Sequence, residues 1–350
     1  MPQSLLNPSG CWLLLVDDSQ KALDYPHYLY PSLTGCMSNI MNESSGKPSK
    51  LKIWIAELRV PFFTAAIVPA ILGTAIAWQS EDSFDAILFG LVALGVILAH
   101  AATNVINDYF DYKSGTDIYN KNRTPFNGGS PFLVEGVLTP KEVYTAAMLM
   151  FGGCAAIGFY LAYATTWLVI PLGIVGIGFG YFYTTPRSGL AAKGIGEVAL
   201  GLGFGPLIVE GAYLVQTQTL SVPVFLAGVP VGLFIGLVLF INQFPDMEAD
   251  GTAGKNHWVV RMGLAKAASW YVGIMVAAFA LIVALLFLNV YPLYALIALV
   301  PLPIALKAIK IVREKCEAVR ELVPAQAMTI QIHLITGLLL SAGIIAAGFL

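Results

Sequence analysis

The sequence is dominated by apolar segments that approach the length needed to cross a lipid bilayer. Hydrophobic residues make up 57% of the 350 positions and charged residues 11%, whereas soluble domains carry roughly 25% charged residues. A helix needs about 20 apolar residues to span the hydrocarbon core. Nine segments approach this length, namely residues 62–78, 87–106, 145–163, 167–183, 194–215, 222–241, 267–288, 291–308 and 328–350. We therefore predict an all-α, polytopic membrane protein with nine transmembrane helices.

Basic residues alternate between the ends of these segments. All 19 lysines and arginines lie in the N-terminal tail or in and beside the loops after the second, fourth, sixth and eighth segments. Cytoplasmic loops of membrane proteins carry an excess of Lys and Arg. We therefore expect the N-terminus on the cytoplasmic side of a membrane, with the cell inner membrane as its location, and the C-terminus on the far side.

The first 50 residues differ from the rest of the chain because they are polar and lack a helical period. They predict a poorly ordered tail in front of a membrane domain that covers residues 51–350. Met37 and Met41 lie just before the basic residues that lead into the first segment. One hypothesis is therefore that translation starts at Met37 or Met41 rather than at Met1.

Two acidic clusters interrupt the apolar pattern, each at the cytoplasmic end of a predicted span. The first acidic cluster consists of Asn104, Asn107, Asp108, Asp111 and Asp117, and the second of Asn242, Asp246, Asp250 and Lys255. Residues four apart share one face of a helix, so each cluster directs its side chains at one location. A carboxylate near hydrocarbon costs roughly 2.5–3.5 kcal/mol at a helix centre. The clusters therefore require compensating positive charge.

Magnesium and a phosphate group would supply this compensation. Facing carboxylates repel one another without cations, and Mg²⁺ prefers oxygen ligands and is commonly bound together with phosphates. The predicted metal ligands are Asp108, Asp111, Asp117, Asp246 and Asp250. The predicted catalytic residues are Asp108, Asp111, Asp246, Asp250 and Lys255. The predicted diphosphate-binding residues are Asn104, Asn107, Asn242, Lys121, Arg123 and Lys193.

Three further residues are candidates for contact with a second substrate. Glu197 is a carboxylate within a predicted span, and such residues are functional candidates by default. His257 directly follows the second acidic cluster. Tyr183 lies at the same membrane level, where an interfacial aromatic belt explains it equally well.

The chain resembles the UbiA superfamily of intramembrane prenyltransferases over residues 51–350. The resemblance rests on the motifs Asn107-Asp108-x-x-Asp111 with Asp117 and Asn242-x-x-x-Asp246-x-x-x-Asp250-x-x-x-Gly254-Lys255, and on the four spans between them. It implies a nine-helix bundle around a central cavity, Mg²⁺, a polyprenyl diphosphate donor and usually an aromatic acceptor. Membrane lipid is a further expected partner, and nucleic acid is not.

Several segments are similar to the 1,4-dihydroxy-2-naphthoate polyprenyltransferase branch, which makes menaquinone. They are Gly128-Gly129-Ser130, Gly194-Ile-Gly196-Glu197, Phe204-Gly-Pro206 and Tyr213-Leu-Val-Gln216. The chain departs from that branch at Asn256-His257-Trp258, where a basic residue and Thr are usual, and at Phe244-Pro245, where a more polar pair is usual. These departures lie near the expected acceptor side.

The predicted activity is the Mg²⁺-dependent transfer of a polyprenyl group to an aromatic acceptor such as 1,4-dihydroxy-2-naphthoate. Alternative acceptors are a benzoquinone precursor of the 4-hydroxybenzoate type, a glycerol phosphate lipid or a tetrapyrrole. An alternative of another class is a cation-coupled transporter that uses the acidic clusters as ion sites. Transporters usually place such sites near the membrane midplane in broken helices, whereas these clusters lie at the ends of spans.

Overall fold

The computed structural model describes residues 49–183, 185 and 189–349, and almost every element in it is a helix. In chain order the α-helices are α1 (Lys50–Glu57), α2 (Thr64–Glu81), α3 (Ala86–Ser114), α4 (Thr116–Tyr119), α5 (Pro140–Ala164), α6 (Val169–Phe182), α7 (Gly196–Leu202), α8 (Ile208–Thr217), α9 (Val222–Ala227), α10 (Val229–Thr252), α11 (Trp258–Met262), α12 (Leu264–Phe287), α13 (Leu302–Lys315) and α14 (Val323–Gly348). Three 3₁₀ segments extend α2, α13 and α14 at their N-terminal ends.

The chain divides into two compact units, residues 1–56 and residues 57–350. Of the first unit, the structure describes residues 49–56, which belong to α1 apart from residue 49. Residues 1–48 of the predicted tail, with the candidate start residues Met1, Met37 and Met41, lie outside the described residues. The second unit holds all predicted spans and both acidic clusters.

Eight helical segments in the described part of the chain are long and apolar enough to cross a membrane. They are Val60–Glu81, Ala86–Ser114, Pro140–Ala164, Gly196–Thr217, Val222–Thr252, Leu264–Phe287, Leu293–Lys315 and Val319–Gly348. The all-helical membrane class is thus confirmed. The fourth predicted span corresponds to α6, whose 14 residues rise only about 21 Å. Residues 184 and 186–188, just beyond α6, are not described, so the count of nine spans stays a prediction.

Local capping fixes where helix α3 begins and ends. The Asp85 side chain accepts hydrogen bonds from the backbone N–H groups of Ile87 (2.7 Å) and Leu88 (3.0 Å), which the helix itself cannot satisfy. At the other end, Gly115 adopts φ +83°, a conformation that favours glycine. The chain therefore turns directly into α4, and this turn carries Asp117 back toward the end of α3.

Helix α10 lies in the middle of the largest apolar core. Phe234, Phe240 and Phe244 on α10 are each about 1% exposed, and the Phe234 ring packs edge-on against Phe279 of α12 with centroids 4.9 Å apart. Helices α2, α12 and α14 contribute other members of the same core. In a bilayer the helices associate through such close packing, because lipid tails are as apolar as the side chains.

Glycines allow α10 to approach the irregular segment formed by α7 and α8. Between α7 and α8, residues Gly203–Leu207 form a π-helical turn that contains Pro206. A Cβ atom at Gly232 of α10 would overlap the carbonyl oxygen of Gly201, and a Cβ at Gly205 would overlap the backbone of Gly232. This close approach sets the distance between α10 and α7, which carry Asp246 and Glu197.

An apolar cavity of about 190 Å³ lies between α3, α5, α6 and the α7–α8 segment. Its wall follows α3 from Val92 to Thr103, a rise of roughly 16 Å. Glycines such as Gly176 and Gly211 line the other sides. The cavity therefore extends along the spans, and its Thr103 end lies next to the first acidic cluster.

Replacing Gly232 with alanine tests this packing. Gly232→Ala places a methyl group against the Gly201 carbonyl, so we expect the free energy of unfolding to fall by about 1–3 kcal/mol. Gly236→Ala is the matched control because a Cβ at that position meets nothing within 4 Å. Thermal unfolding of the purified protein in detergent measures both. Equal stability of the two variants would contradict the close approach.

Candidate functional site

The last turns of α3 direct the first acidic cluster into the protein. Asp108 is fully buried and Asp111 is 7% exposed. Asn107 Nδ2 donates to Asp111 Oδ2 (2.9 Å), and Asn104 Nδ2 donates to the carbonyl of Leu58 (3.3 Å). The two asparagines thus hold the end of α3 and one of its carboxylates in place.

The loop after α4 connects the first acidic cluster to the second. Asn120 Nδ2 donates to Asp246 Oδ1 (2.6 Å), and Asn127 Nδ2 donates to the same oxygen. Asp246 and Asp250 lie on α10 four residues apart and therefore share one face. The loop after α3 and α4 therefore reaches the carboxylates of α10, and the two clusters form one site.

Lys255 joins the two clusters directly. Its Nζ atom lies 2.8 Å from Asp111 Oδ1 and 3.3 Å from Asp250 Oδ1. Burial alone would lower the pKa of Lys255, but Asp111 and Asp250 outweigh it, and the pKa lies above its ordinary value. The ammonium group is therefore charged, and it stabilises carboxylates from two helices at once.

A glycine-containing loop packs against the carboxylates of the first cluster. The backbone N–H of Ser130 donates to Asp108 Oδ2 (3.1 Å). Gly129 adopts φ +67°, and a Cβ there would lie 3.0 Å from Asp108 Oδ1 and 3.1 Å from Asp117 Oδ1. Burial and the neighbouring carboxylates Asp111 and Asp108 raise the pKa of Asp117 to about 8. Asp117 is therefore buried beside two other carboxylates, and its charged form requires compensation by a cation.

Two arginines lie beside carboxylates of the first acidic cluster. Arg59 forms an ion pair with Asp108, and Arg123 lies 3.6 Å from Asp117 Oδ1 while donating to the Asp117 carbonyl (2.9 Å). Arg123 was predicted from the sequence, whereas Arg59 was counted there only as a topology signal. Its position just before the first span, on the side of the acidic clusters, was the signal that could have found it.

The other predicted residues divide between the site and its surroundings. His257 Nε2 lies 3.1 Å from Asp250 Oδ2, so this histidine contacts a carboxylate of the second cluster. Asn242 Oδ1 accepts a hydrogen bond from Gln326 of α14 (3.0 Å). Lys121 and Lys193 have exposed side chains, and their described contacts are made through backbone carbonyls. The structure therefore does not bring these two lysines into the centre.

Glu197 and Tyr183 lie beside the site rather than within it. Glu197 Oε1 accepts from the backbone N–H of Trp258 (2.9 Å). A Cβ at Gly196 would lie 3.0 Å from the Tyr183 ring, so this ring packs next to Glu197. Tyr183 also lines the apolar cavity. The pair therefore occupies the region between the carboxylates and the cavity.

The oxygen groups of the site fit magnesium, provided that a phosphate completes the coordination. No group of three His, Cys, Asp or Glu side chains converges on one point among the described residues. Mg²⁺ is commonly bound through one or two carboxylates together with substrate phosphates, not through a cage made by the protein alone. The buried Asp117 Oδ2 atom has no hydrogen-bond partner in the part of the chain that the structure describes. Asp108 and Asp117 on one side, and Asp246 and Asp250 on the other, match such a shared arrangement.

Comparisons with known proteins assign the chain to a family. The model of the UbiA prenyltransferase family matches residues 66–346. A 2-carboxy-1,4-naphthoquinone phytyltransferase of Synechocystis is 28% identical over 300 residues, which cover 85% of this chain and 95% of the relative. A 1,4-dihydroxy-2-naphthoate octaprenyltransferase of Bacillus subtilis is 25% identical over 286 residues, with coverages of 82% and 90%.

Solved structures share the fold. A UbiA homologue from Aeropyrum pernix aligns with a TM-score of 0.63 and 17% identity, covering 82% of this chain and 98% of that chain. A UbiA homologue from Archaeoglobus fulgidus, bound to GPP and Mg²⁺, aligns with a TM-score of 0.57 and 12% identity, covering 84% and 99%. At these identities the likeness concerns the fold alone.

The helical spans and the acidic site that closes one end of them define an integral membrane enzyme. More specifically, the chain belongs to the UbiA prenyltransferase family. The resemblance inferred from the two motifs is thereby confirmed, including the similarity to enzymes named for naphthoate or naphthoquinone substrates.

The close contact between Gly129 and two carboxylates can be tested with alanine substitutions. Alanine at a positive φ costs roughly 1–2 kcal/mol, and Gly136 (φ +68°) has the same backbone strain as Gly129 but nothing within 4 Å of its Cβ. We expect Gly129→Ala to lower the unfolding temperature clearly more than Gly136→Ala. Equal losses would show that Asp108 and Asp117 do not constrain this loop.

Proposed function

We propose that the protein transfers a polyprenyl group from a polyprenyl diphosphate to an aromatic acceptor, with 1,4-dihydroxy-2-naphthoate as the best candidate. One observation carries the proposal: a buried site in which Lys255 bridges Asp111 and Asp250 lies next to a long apolar cavity. The charged site suits the diphosphate, and the cavity suits the hydrocarbon tail. The names of the relatives from Synechocystis and Bacillus subtilis support the acceptor class.

Helix α3 supports a common binding mode for both parts of the donor. Val96, His100 and Thr103 line the cavity, and Asn107 and Asp111 follow on the same face because residues three and four apart on a helix are neighbours. A donor that lies along this face places its tail in the cavity and its diphosphate at the carboxylates. Its reactive carbon then lies between the two regions.

The proposed magnesium ligands are Asp108, Asp111, Asp117, Asp246 and Asp250. Bound Mg²⁺ would neutralise the negative charge of the diphosphate leaving group. Lys255 and the two arginines, Arg59 and Arg123, contribute positive charge from the protein itself, and such positioned cations stabilise charge that develops in a transition state. Asn107 keeps Asp111 oriented. Asn104 and Asn242 remain proposed contacts of the diphosphate, whereas the exposed Lys121 and Lys193 lie outside the centre of the site.

The bond changes follow from this arrangement. The bond between C1 of the prenyl chain and the diphosphate oxygen breaks, and its electron pair leaves with the diphosphate. An electron-rich ring carbon of the acceptor forms a new bond to C1 and then loses its proton or, in a naphthoate, its carboxyl group as carbon dioxide. The apolar cavity walls keep water away from the reactive carbon. Glu197, His257 and Tyr183 are the proposed residues on the acceptor side.

The proposed setting is the cell inner membrane, with the N-terminus and both acidic clusters on the cytoplasmic side and the C-terminus on the far side. The alternation of basic loops supports this orientation. Lipid surrounds the spans. A prenyltransferase with a 4-hydroxybenzoate-like, glycerol phosphate lipid or tetrapyrrole acceptor is the second candidate, because the departures around Asn256-His257-Trp258 lie near Glu197. The transporter alternative has no comparable support.

Conservative changes of the carboxylates test the reaction site. We expect Asp108→Asn and Asp246→Asn each to reduce prenyl transfer by about 10²-fold or more, because each removes a charged ligand while keeping its shape. Asp82→Asn, an exposed position with φ +49°, is the control and keeps wild-type activity. Transfer of a radiolabelled prenyl group in membranes measures all three variants.

Chelation provides a second arm of the same experiment. EDTA is expected to abolish transfer by the wild-type protein, and added Mg²⁺ is expected to restore it. Full activity of either site variant would exclude that carboxylate from the reaction. Full activity in EDTA would exclude the metal.

The tail-binding role of the cavity is tested at Gly211. This residue lines the cavity, and a Cβ there meets only Leu172 at 3.9 Å, so Gly211→Leu adds bulk inside the cavity. We expect transfer from a long-chain donor to fall about tenfold, while transfer from geranyl diphosphate is retained. Gly152→Leu, on α5 outside the cavity, is the control. An unchanged preference for chain length would show that the tail lies elsewhere.

A further inference from the structure

Two buried polar side chains, Glu197 and Gln243, lie next to the acidic clusters but belong to neither of them. Glu197 on α7 is 7% exposed, and Gln243 on α10 is 6% exposed. Gln243 Nε2 donates to Glu197 Oε1 (3.3 Å), which also accepts from the backbone N–H of Trp258 (2.9 Å). Gln243 was not a candidate in the sequence analysis.

Each member of this pair keeps one buried oxygen to which no described residue donates. Glu197 Oε2 and Gln243 Oε1 are inaccessible and have no hydrogen-bond partner within residues 49–183, 185 and 189–349. Buried polar atoms are nearly always paired, and an unpaired one calls for an explanation. Two acceptors on neighbouring side chains require donors, and the described part of the chain supplies these only to Glu197 Oε1.

The location of the pair is suited to a second substrate. Gln243 lies one turn before Asp246 on the carboxylate-bearing face of α10, and is therefore deeper in the membrane than the diphosphate site. Glu197 lies one turn before Leu200, which lines the apolar cavity together with Tyr183. The two residues therefore lie between the proposed position of the diphosphate and the cavity, which is the level proposed for the reactive carbon.

We propose that Glu197 Oε2 and Gln243 Oε1 bind the hydroxyl groups of a hydroxyarene acceptor and so select for rings that carry free O–H groups. This inference rests on the proposed prenyl transfer and deepens it by assigning the acceptor subsite. A hydroxyarene supplies the donors that both oxygens lack. A ring without O–H groups leaves them unpaired, and a site built around such hydrogen bonds discriminates strongly against it.

The pair also has a role in the chemistry. Glu197 Oε2 accepts the proton of one acceptor hydroxyl as the ring carbon forms its bond to C1, and the electron pair of the broken C1–O bond leaves with the diphosphate. The ring then loses either its proton, which the released diphosphate accepts, or carbon dioxide from an ionised carboxyl group, and the hydroxyl regains its proton from Glu197. The protonation state of Glu197 is therefore the same before and after one turnover.

Binding of two matched probes tests the assignment. The probes are 1,4-dihydroxy-2-naphthoate and its 1,4-dimethoxy analogue, measured at equilibrium on the purified protein with Mg²⁺ and a non-hydrolysable prenyl thiodiphosphate. We expect wild-type protein to bind the dihydroxy probe at least about tenfold more tightly than the dimethoxy probe. In Glu197→Gln and Gln243→Met we expect the dihydroxy probe to bind only about one- to threefold more tightly than the dimethoxy probe.

The variants are chosen to preserve the fold. In Glu197→Gln the amide oxygen can still accept from Trp258, whereas the new NH₂ group replaces the free oxygen. Gln243→Met keeps the length of the side chain and removes its oxygen. Glu210→Gln is the matched control: Glu210 is also buried, lies toward the other end of the same span, and accepts from the Ser221 backbone N–H (2.6 Å).

The possible outcomes separate this inference from the proposed function. An unchanged ratio in both variants, with wild-type transfer intact, overturns the acceptor subsite and leaves prenyl transfer standing. A parallel loss of affinity for the thiodiphosphate in Glu197→Gln also overturns it, because the pair would then act on the donor. No transfer by wild-type protein to any hydroxyarene overturns the proposed function itself. If Glu210→Gln also lost the preference for the dihydroxy probe, the effect would be assigned to general destabilisation and the subsite rejected.

Discussion

The structure depends on holding several carboxylates close together at the end of a helical bundle. Such groups repel one another and lose hydration when buried, so each needs a partner. Lys255 meets this need between Asp111 and Asp250, Arg59 meets it at Asp108, and two asparagines meet it at Asp246. The same contacts that stabilise the protein therefore connect its two acidic clusters.

This compensation is incomplete among the described residues, and the deficit supports the proposed function of the site. Within the described ranges, Asp117 keeps a buried oxygen without a hydrogen-bond partner, and burial together with the neighbouring Asp111 and Asp108 raises its pKa. A divalent cation that arrives with a diphosphate can supply the missing charge. Below this charged end, the walls of the cavity are almost entirely apolar. The strong contrast between these adjoining regions matches a substrate with a charged head and a hydrocarbon tail.

Close backbone packing sets the geometry of the second half of the site. Gly201, Gly205 and Gly232 let α10 approach the α7–α8 segment closely. This approach brings Gln243 within hydrogen-bond distance of Glu197. Neither residue belongs to the first or the second acidic cluster. Their two unpaired oxygens are a consequence of tertiary packing, and they mark the place where the acceptor is proposed to bind.

The sequence by itself determined the membrane class, the positions of the long spans and the two acidic motifs, because hydropathy and helical spacing are local properties. Only the tertiary structure decided which side chains meet. Arg59 lies 49 positions from Asp108, and Gln243 lies 46 positions from Glu197, and no periodicity relates residues so far apart. Lys193 was predicted from its position in a basic loop rather than from an acidic motif, and its side chain is exposed. Long-range pairing depends on how helices pack, and that is set by the shapes of many side chains together.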